Sequence, residues 1–132
     1  MKILIKRVDE PLEIIDSKEK YLGDAARVVL GDDITQERVR FSENLTMVCD
    51  EDGLLKELPP NFLASMSNPF YPVQVIVGDV VFVRTKPLNA WEGEIWDLEV
   101  EDVTDADVQM INDLLSKDTQ VDLITKYLRV GR

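Results

Sequence analysis

The chain has 132 residues, with 26 acidic against 15 basic side chains, no histidine and one cysteine, for a formal net charge of −11. That balance repels nucleic-acid phosphates unless a local basic patch overrides it, and no such patch stands out: Lys2, Lys6 and Arg7 near one end and Lys126, Arg129 and Arg132 near the other are small groups. An apolar content of 45% supplies a core and excludes a disordered chain.

Residues 2–8 (KILIKRV) and 12–15 (LEII) are predicted strands, and Asp9-Glu10-Pro11 between them is a hairpin turn. Ser17 is placed to cap a helix running to about Leu30. Tyr21/Leu22, Ala25/Ala26 and Val29/Leu30 recur there at helical spacing, Gly23 weakens the pattern slightly, and Gly31 suits the exit. Residues 37–41 and 45–49 are predicted strands built on Val39, Phe41, Met47 and Val48, and Asp50-Glu51-Asp52-Gly53 is a turn. In the stretch LLKELPPNFLASM that follows, Pro59-Pro60 stops any earlier helix, and a short helix can begin at Pro60. Asn68-Pro69-Phe70-Tyr71-Pro72 is a rigid loop.

Residues 73–84 (VQVIVGDVVFVR) are nearly continuous in β-branched side chains, which predicts a strand buried on both faces, with Gly78-Asp79 a bulge or tight turn inside it. Residues 96–101 alternate Trp96, Leu98 and Val100 with Asp97, Glu99 and Glu101, the pattern of a half-buried strand with one carboxylate face. Thr104 caps a following helix that carries Asp105 and Asp107 in its first turn and Ala106, Met110, Ile111, Leu114 and Leu115 as its apolar stripe. A last helix from about Asp118 has Val121, Ile124 and Leu128 on one side. Strands, a helix, strands and then helices predict an α+β fold. Its sheet is small, mixed or antiparallel, with one helix after the first strand pair and C-terminal helices, as a single domain over residues 1–132.

The missing histidine removes Ser-His-Asp and Cys-His catalysis, and with the single Cys49 it also removes an ordinary zinc site. Neither standard glycine-rich phosphate cradle is present. A calcium loop around Asp50–Gly53 fails because Val48 and Pro59 would fall at positions that need oxygen donors. Gly31-Asp32-Asp33 is explained as a helix exit, and Asp16-x-Lys18 as a helix start. Cys49, among acids in a strand, is expected to be a buried structural thiol. No metal or cofactor is therefore expected. The first apolar run is three residues long and no segment approaches the roughly 20 needed to span a membrane, so a cytoplasmic protein is expected.

The charge is unevenly spread. Residues 92–122 hold eleven acids and one base, Lys117. Asp97, Glu99, Glu101, Asp102, Asp105 and Asp113 are the candidate face for a basic protein partner, against the plainer reading of a solubilising surface. Nucleic acid and membrane are not expected as partners. The alternative is a small carboxylate-dependent enzyme, which needs acids brought together in a pocket. Leu58, Pro59, Pro60 and Asn61 form the second candidate, a structural corner that could also serve recognition.

Two segments carry a family resemblance. MVCDEDGLLKELPPN (residues 47–61) and VQVIVGDVVFVR (residues 73–84) resemble successive elements of the domain of unknown function 3846 family, and the opening strand pair, the helix to Gly31 and the DVTDADV helix start follow in matching order. The resemblance covers a core of about residues 1–117 and leaves residues 118–132 as a helical extension. It implies a small protein of bacteriophages or mobile elements and assigns no activity. Where the family often has Arg after Pro-Pro-Asn this chain has Phe62, so a binding role for that position does not carry over.

Overall fold

The computed structural model describes residues 1–65, 72–87 and 97–130. Within them the chain is α+β, with eight strands and three helices. Strands β1 (Lys2–Lys6), β2 (Glu13–Asp16), β3 (Gln36–Arg40), β4 (Leu45–Asp50), β7 (Val80–Thr85) and β8 (Val100–Glu101) form one antiparallel sheet. Its order is β2-β1-β7-β4-β3, with β8 paired to the far end of β7. Strands β5 (Pro60–Ser65) and β6 (Val73–Val77) make a separate antiparallel pair. The helices are α1 (Leu22–Leu30), α2 (Asp105–Leu115) and α3 (Lys117–Val130).

Alternation along the central strands explains the layering. Ile3, Ile5, Val48, Val81 and Val83 face Leu22, Ala25 and Ala26 of α1. Their neighbours Leu4, Met47, Val80 and Phe82 face Phe62, Ala64 and Ile76 of the two-stranded sheet and Ile111 of α2. The large sheet is thus covered on both sides. Each of the larger side chains among them (Val, Leu, Ile, Met or Phe), fully withdrawn from water, stabilises the fold by about 1.5–3 kcal/mol. Phe82 sits at the centre, with its ring 5.6 Å from Phe41 edge-to-face and 6.2 Å from Phe62.

Four local expectations are corrected. The first helix starts at Leu22, with Tyr21 in the cap position. Ser17 cannot cap it because its backbone prolongs the β1–β2 ladder, donating to the Met1 carbonyl at 2.7 Å, and its hydroxyl accepts from Glu19 N–H. Residues 20–22 are further held against 98–100 by the Tyr21–Glu99 bridge and its flanking bonds. Second, Pro60 opens a strand and not a helix. A proline is tolerated as the first residue of a strand, and the following residues alternate, with Phe62 and Ala64 facing the core and Leu63 facing α3.

Third, residues 73–84 are two strands in two sheets. Gly78, at φ +73°, and Asp79 turn the chain from β6 into β7. Fourth, the strand expected over 96–101 is only Val100–Glu101, with Glu99 in the isolated bridge and Trp96 outside the described residues. The proline loop expected at 68–72 lies outside them too, except for Pro72.

The Thr104 cap forms with both halves of a capping box. Asp107 N–H donates to Thr104 Oγ1 (3.1 Å) and Thr104 N–H donates to Asp107 Oδ2 (2.9 Å). The C-terminal helix carries Val121, Ile124 and Leu128 on one side, as expected. Leu123 is the residue buried against Leu63 and Val73, while Val121, Ile124 and Leu128 face outward.

Candidate functional site

The six candidate carboxylates divide into two groups. Asp97, Glu99 and Glu101 are each engaged by cations from neighbouring strands or the segments beside them. Arg38 of β3 grips Asp97 with both terminal nitrogens, at 2.8 and 3.0 Å. Asp97 also accepts from Gly23 N–H (2.8 Å) and Leu98 N–H (2.7 Å). Gly23 N–H is one of the unpaired donors at the start of α1, so Asp97 supplies the cap that Tyr21 does not. A Cβ at residue 23 would stand 2.9 Å from Asp97 Oδ2, so a larger residue there would push the carboxylate away from this position. Burial alone would raise the Asp97 pKa, but Arg38 and the two N–H donors outweigh it and hold the carboxyl below the usual range.

Glu99 lies 3.0 Å from Lys86 Nζ and 3.7 Å from Lys20 Nζ, and Lys86 before Lys20 lowers its pKa. Glu101 stands 3.5 Å from Arg84 Nε. The same guanidinium reaches the buried Asp107 at 3.2 and 3.3 Å, which ties β7 to the start of α2.

Asp102, Asp105 and Asp113 form the second group. All three are exposed. Asp102 accepts from Lys2 N–H (2.7 Å) and Asp113 from Gln109 Nε2 (2.7 Å), but among the described residues none of the three has a cation within ion-pair distance. Among the described residues the uncompensated charge therefore begins at Asp102, after the strand, and continues on α2 at Asp105 and Asp113, with Asp107 between them held by Arg84. Arg38, Arg84, Lys20 and Lys86 are the residues that sequence reasoning missed. Arg38 lies 59 positions from its carboxylate, and no local spacing signals such a pair.

The corner at Leu58–Asn61 joins three parts of the chain. A register shift between Pro60 and Phe62 leaves Asn61 unpaired in the ladder and re-aims its side chain. Asn61 Nδ2 donates to the Lys6 carbonyl (2.9 Å) and the Gly78 carbonyl (2.8 Å), and Asn61 Oδ1 accepts from Lys6 Nζ (2.9 Å). Gly78 N–H donates to the Pro59 carbonyl (2.8 Å). Leu58 fills the space where a Cβ on residue 78 would fall, with Cδ1 at 2.8 Å. Burial lowers the Lys6 pKa, against the opposing pull of Asp9, Asp79 and Glu10.

An open cleft of about 450 Å³ runs along this corner, with Leu58, Pro59, Gly78, Asp79, Asp50 and Lys56 among its walls. Lys56 binds Asp50 at 2.7 Å and keeps it below the usual carboxylate range. Asp79 accepts from Val8 N–H (2.9 Å) and faces Arg7 at 3.6 Å.

Cys49 is buried in β4, and its thiol is pushed up to about 12 by burial and then by Glu37 and Asp50. Gly31 is the exit of α1 at φ +102°, and Asp32 pairs back to Arg27 at 3.3 Å. Among the described residues no group of three or more acids or cysteines is arranged to hold a metal ion.

A family model, domain of unknown function (DUF3846), matches residues 1–111. The chain belongs to this family. The DUF3846 span takes in both sheets, the corner and most of α2, and α3 lies outside it. No curated protein and no solved structure matches the chain. No helix among the described residues is long and apolar enough to cross a membrane.

Proposed function

We propose that the protein is a small non-enzymatic interaction factor, cytoplasmic and encoded by a phage or mobile element, that binds a basic protein through the acidic surface leading into and along α2. The observation that supports this is the exposure of Asp102, Asp105 and Asp113 with no cation within ion-pair distance among the described residues, where the strand carboxylates beside them are neutralised. Residues 102–122 carry six acids and one base. An unpaired field of one sign steers an oppositely charged partner and repels nucleic-acid phosphates. It acts over about 8 Å at physiological ionic strength.

The test is capture of partners from a bacterial lysate by the parent and two variants. Asp102→Asn with Asp105→Asn and Asp113→Asn is expected to keep its fold and lose a salt-sensitive partner. Glu99→Gln with Glu101→Gln is expected to keep that partner. Retention by the triple variant, or binding indifferent to salt, would leave only a solubilising surface.

A second reading, a carboxylate-dependent enzyme, rests on the cleft that brings Asp50, Asp79 and Lys56 together. Of the three carboxylates that line the cleft, Asp33, Asp50 and Asp79, the last two are already engaged by protein donors, which favours the binding reading. Turnover of a substrate that disappears in Asp50→Asn would reverse that preference.

A further inference from the structure

We infer that the outer edge of β5 is a strand-addition site for an extended peptide with aliphatic side chains, and that α3 is a latch occupying it. The observation is the pairing at Leu63. Gln120 Oε1 accepts from Leu63 N–H at 2.8 Å, and Gln120 Nε2 donates to the Leu63 carbonyl at 3.0 Å. Facing residues of an antiparallel ladder exchange this same pair of bonds, one accepted and one donated, whereas a parallel neighbour spreads them over two residues. The side-chain amide of Gln120 therefore stands where the backbone of an antiparallel strand would stand. The other edge of β5 is already taken by β6, in the register Phe62↔Ile76, Leu63↔Val75, Ala64↔Gln74 and Ser65↔Val73. Strand alternation puts the backbone groups of Ser65 on the same outer edge as those of Leu63, so an added strand has both residues to pair with.

The face beside that edge sets the side chain an added strand must bring. A residue facing Leu63 across a ladder lies on the same side of the sheet as the Leu63 side chain. Leu123 holds that side now, buried against Leu63 and Val73 with Val75 and Leu114 beside it. An aliphatic residue on the incoming strand takes over the contact that Leu123 gives up. The helix is lightly held. Of its described side chains Leu123 alone is buried, Thr119 and Gln120 are half-buried, and the others are exposed. One residue, Ser116 in extended backbone, joins α3 to α2, so rotation at a single joint moves α3 off the edge and leaves α2 in place. The edge also lies within the span matched by the family model, and the latch lies outside it.

This inference is independent of the partner proposed for α2, because it uses none of Asp102, Asp105 or Asp113. The probe is an acetylated and amidated peptide that alternates Thr and Val and carries a Lys at each end, titrated into the isotope-labelled full chain. Its effect on backbone amide resonances locates it. An occluded site binds with its affinity reduced by the fraction that is open, so Gln120→Ala is expected to bind the peptide about tenfold more tightly than the parent. Leu123→Ala removes the buried contact instead of the hydrogen bonds. It should act in the same direction, and it carries the test should Gln120→Ala fail to fold. Thr125→Ala, which alters α3 away from the edge, should bind as the parent does. The bound peptide should shift the Leu63 and Ser65 amides. A second peptide with Pro for its central Val lacks the N–H that pairs with the Leu63 carbonyl and should bind about tenfold more weakly. Equal affinity in the parent, Gln120→Ala and Leu123→Ala would overturn the latch. No binding to any of them, shifts confined to residues away from β5, or equal binding of the Pro peptide would overturn the strand-addition site.

Discussion

Asp97 reaches back 74 residues to cap α1. A carboxylate that alternation assigns to a solvated strand face is thus part of the scaffold, and neutralising it removes a charge-assisted pair with Arg38 as well as the helix cap. Asp97→Asn is expected to lower stability by about 1–2 kcal/mol near neutral pH, or roughly 3–6 °C in melting temperature. The folded pKa of Asp97 is depressed, so its contribution is complete above the ordinary carboxylate value of about 4 and fades as pH falls through the lower folded value. The gap between parent and variant should therefore close in acid. Melting curves from neutral to strongly acidic pH check this, and a gap that stays constant would assign the loss to packing alone. Asn61 is the comparable amide. Asn61→Ala removes two donors and one acceptor that tie β1 to the β6–β7 turn. It is expected to cost about 2–3 kcal/mol in urea unfolding, whereas unchanged unfolding with loss of a binding partner would make the corner a recognition element. Neither side chain announces its partner. The residue type states only that Asp and Asn satisfy backbone groups, and the groups here are dozens of positions away.

Elements whose boundaries are set by neighbours a few residues away were legible in the sequence. The start of α2 is the example, because Thr104 and Asp107 satisfy each other within one turn. The start of α1 was not legible, because the Met1–Ser17 ladder and the segment 98–100 decide it. The same holds at Pro60, where local chemistry permits a helix and pairing with β6 makes a strand. The outer edge of β5 shows how tertiary context completes an element. The Gln120 side chain accepts from Leu63 N–H (2.8 Å) and donates to the Leu63 carbonyl (3.0 Å), so one amide of α3 pairs with this strand as a neighbouring backbone would. Gln120→Ala should speed hydrogen exchange at the Leu63 amide and cost about 1–2 kcal/mol. Gln120→Glu should expose the same edge, because a carboxylate accepts from the amide but gives nothing to the carbonyl. Thr125→Ala, which removes a bond within α3, serves as the control. Equal exchange at Leu63 in all these variants would show that α3 packing alone protects the strand.

For the molecule as a whole, composition and periodicity were sufficient for the α+β class and for most strands, because apolar alternation follows burial directly. Strand order was beyond them. β1 pairs with β7 across most of the chain, and the β-branched run 73–84 is divided between two sheets by Gly78 and Asp79. The acidic tract was legible as composition, and its meaning was not, since half of the candidate carboxylates are neutralised by cations that arrive from other strands. What remains after that cancellation is a smaller surface on α2 and a helix beyond the family span with one face bare.

The buried thiol gives the fold a built-in clock. Cys49 is the chain's one cysteine, sits between β3 and β7, and is protonated throughout the physiological range. A thiol-specific reagent in excess can react only when the strands part, so the labelling rate of the unmodified protein counts openings. If β3 peels away from the edge, labelling will scarcely respond to denaturant. If the central strands must separate, it will accelerate with the full unfolding dependence. Two regimes of motion are thereby distinguished with a single natural atom and no engineered label.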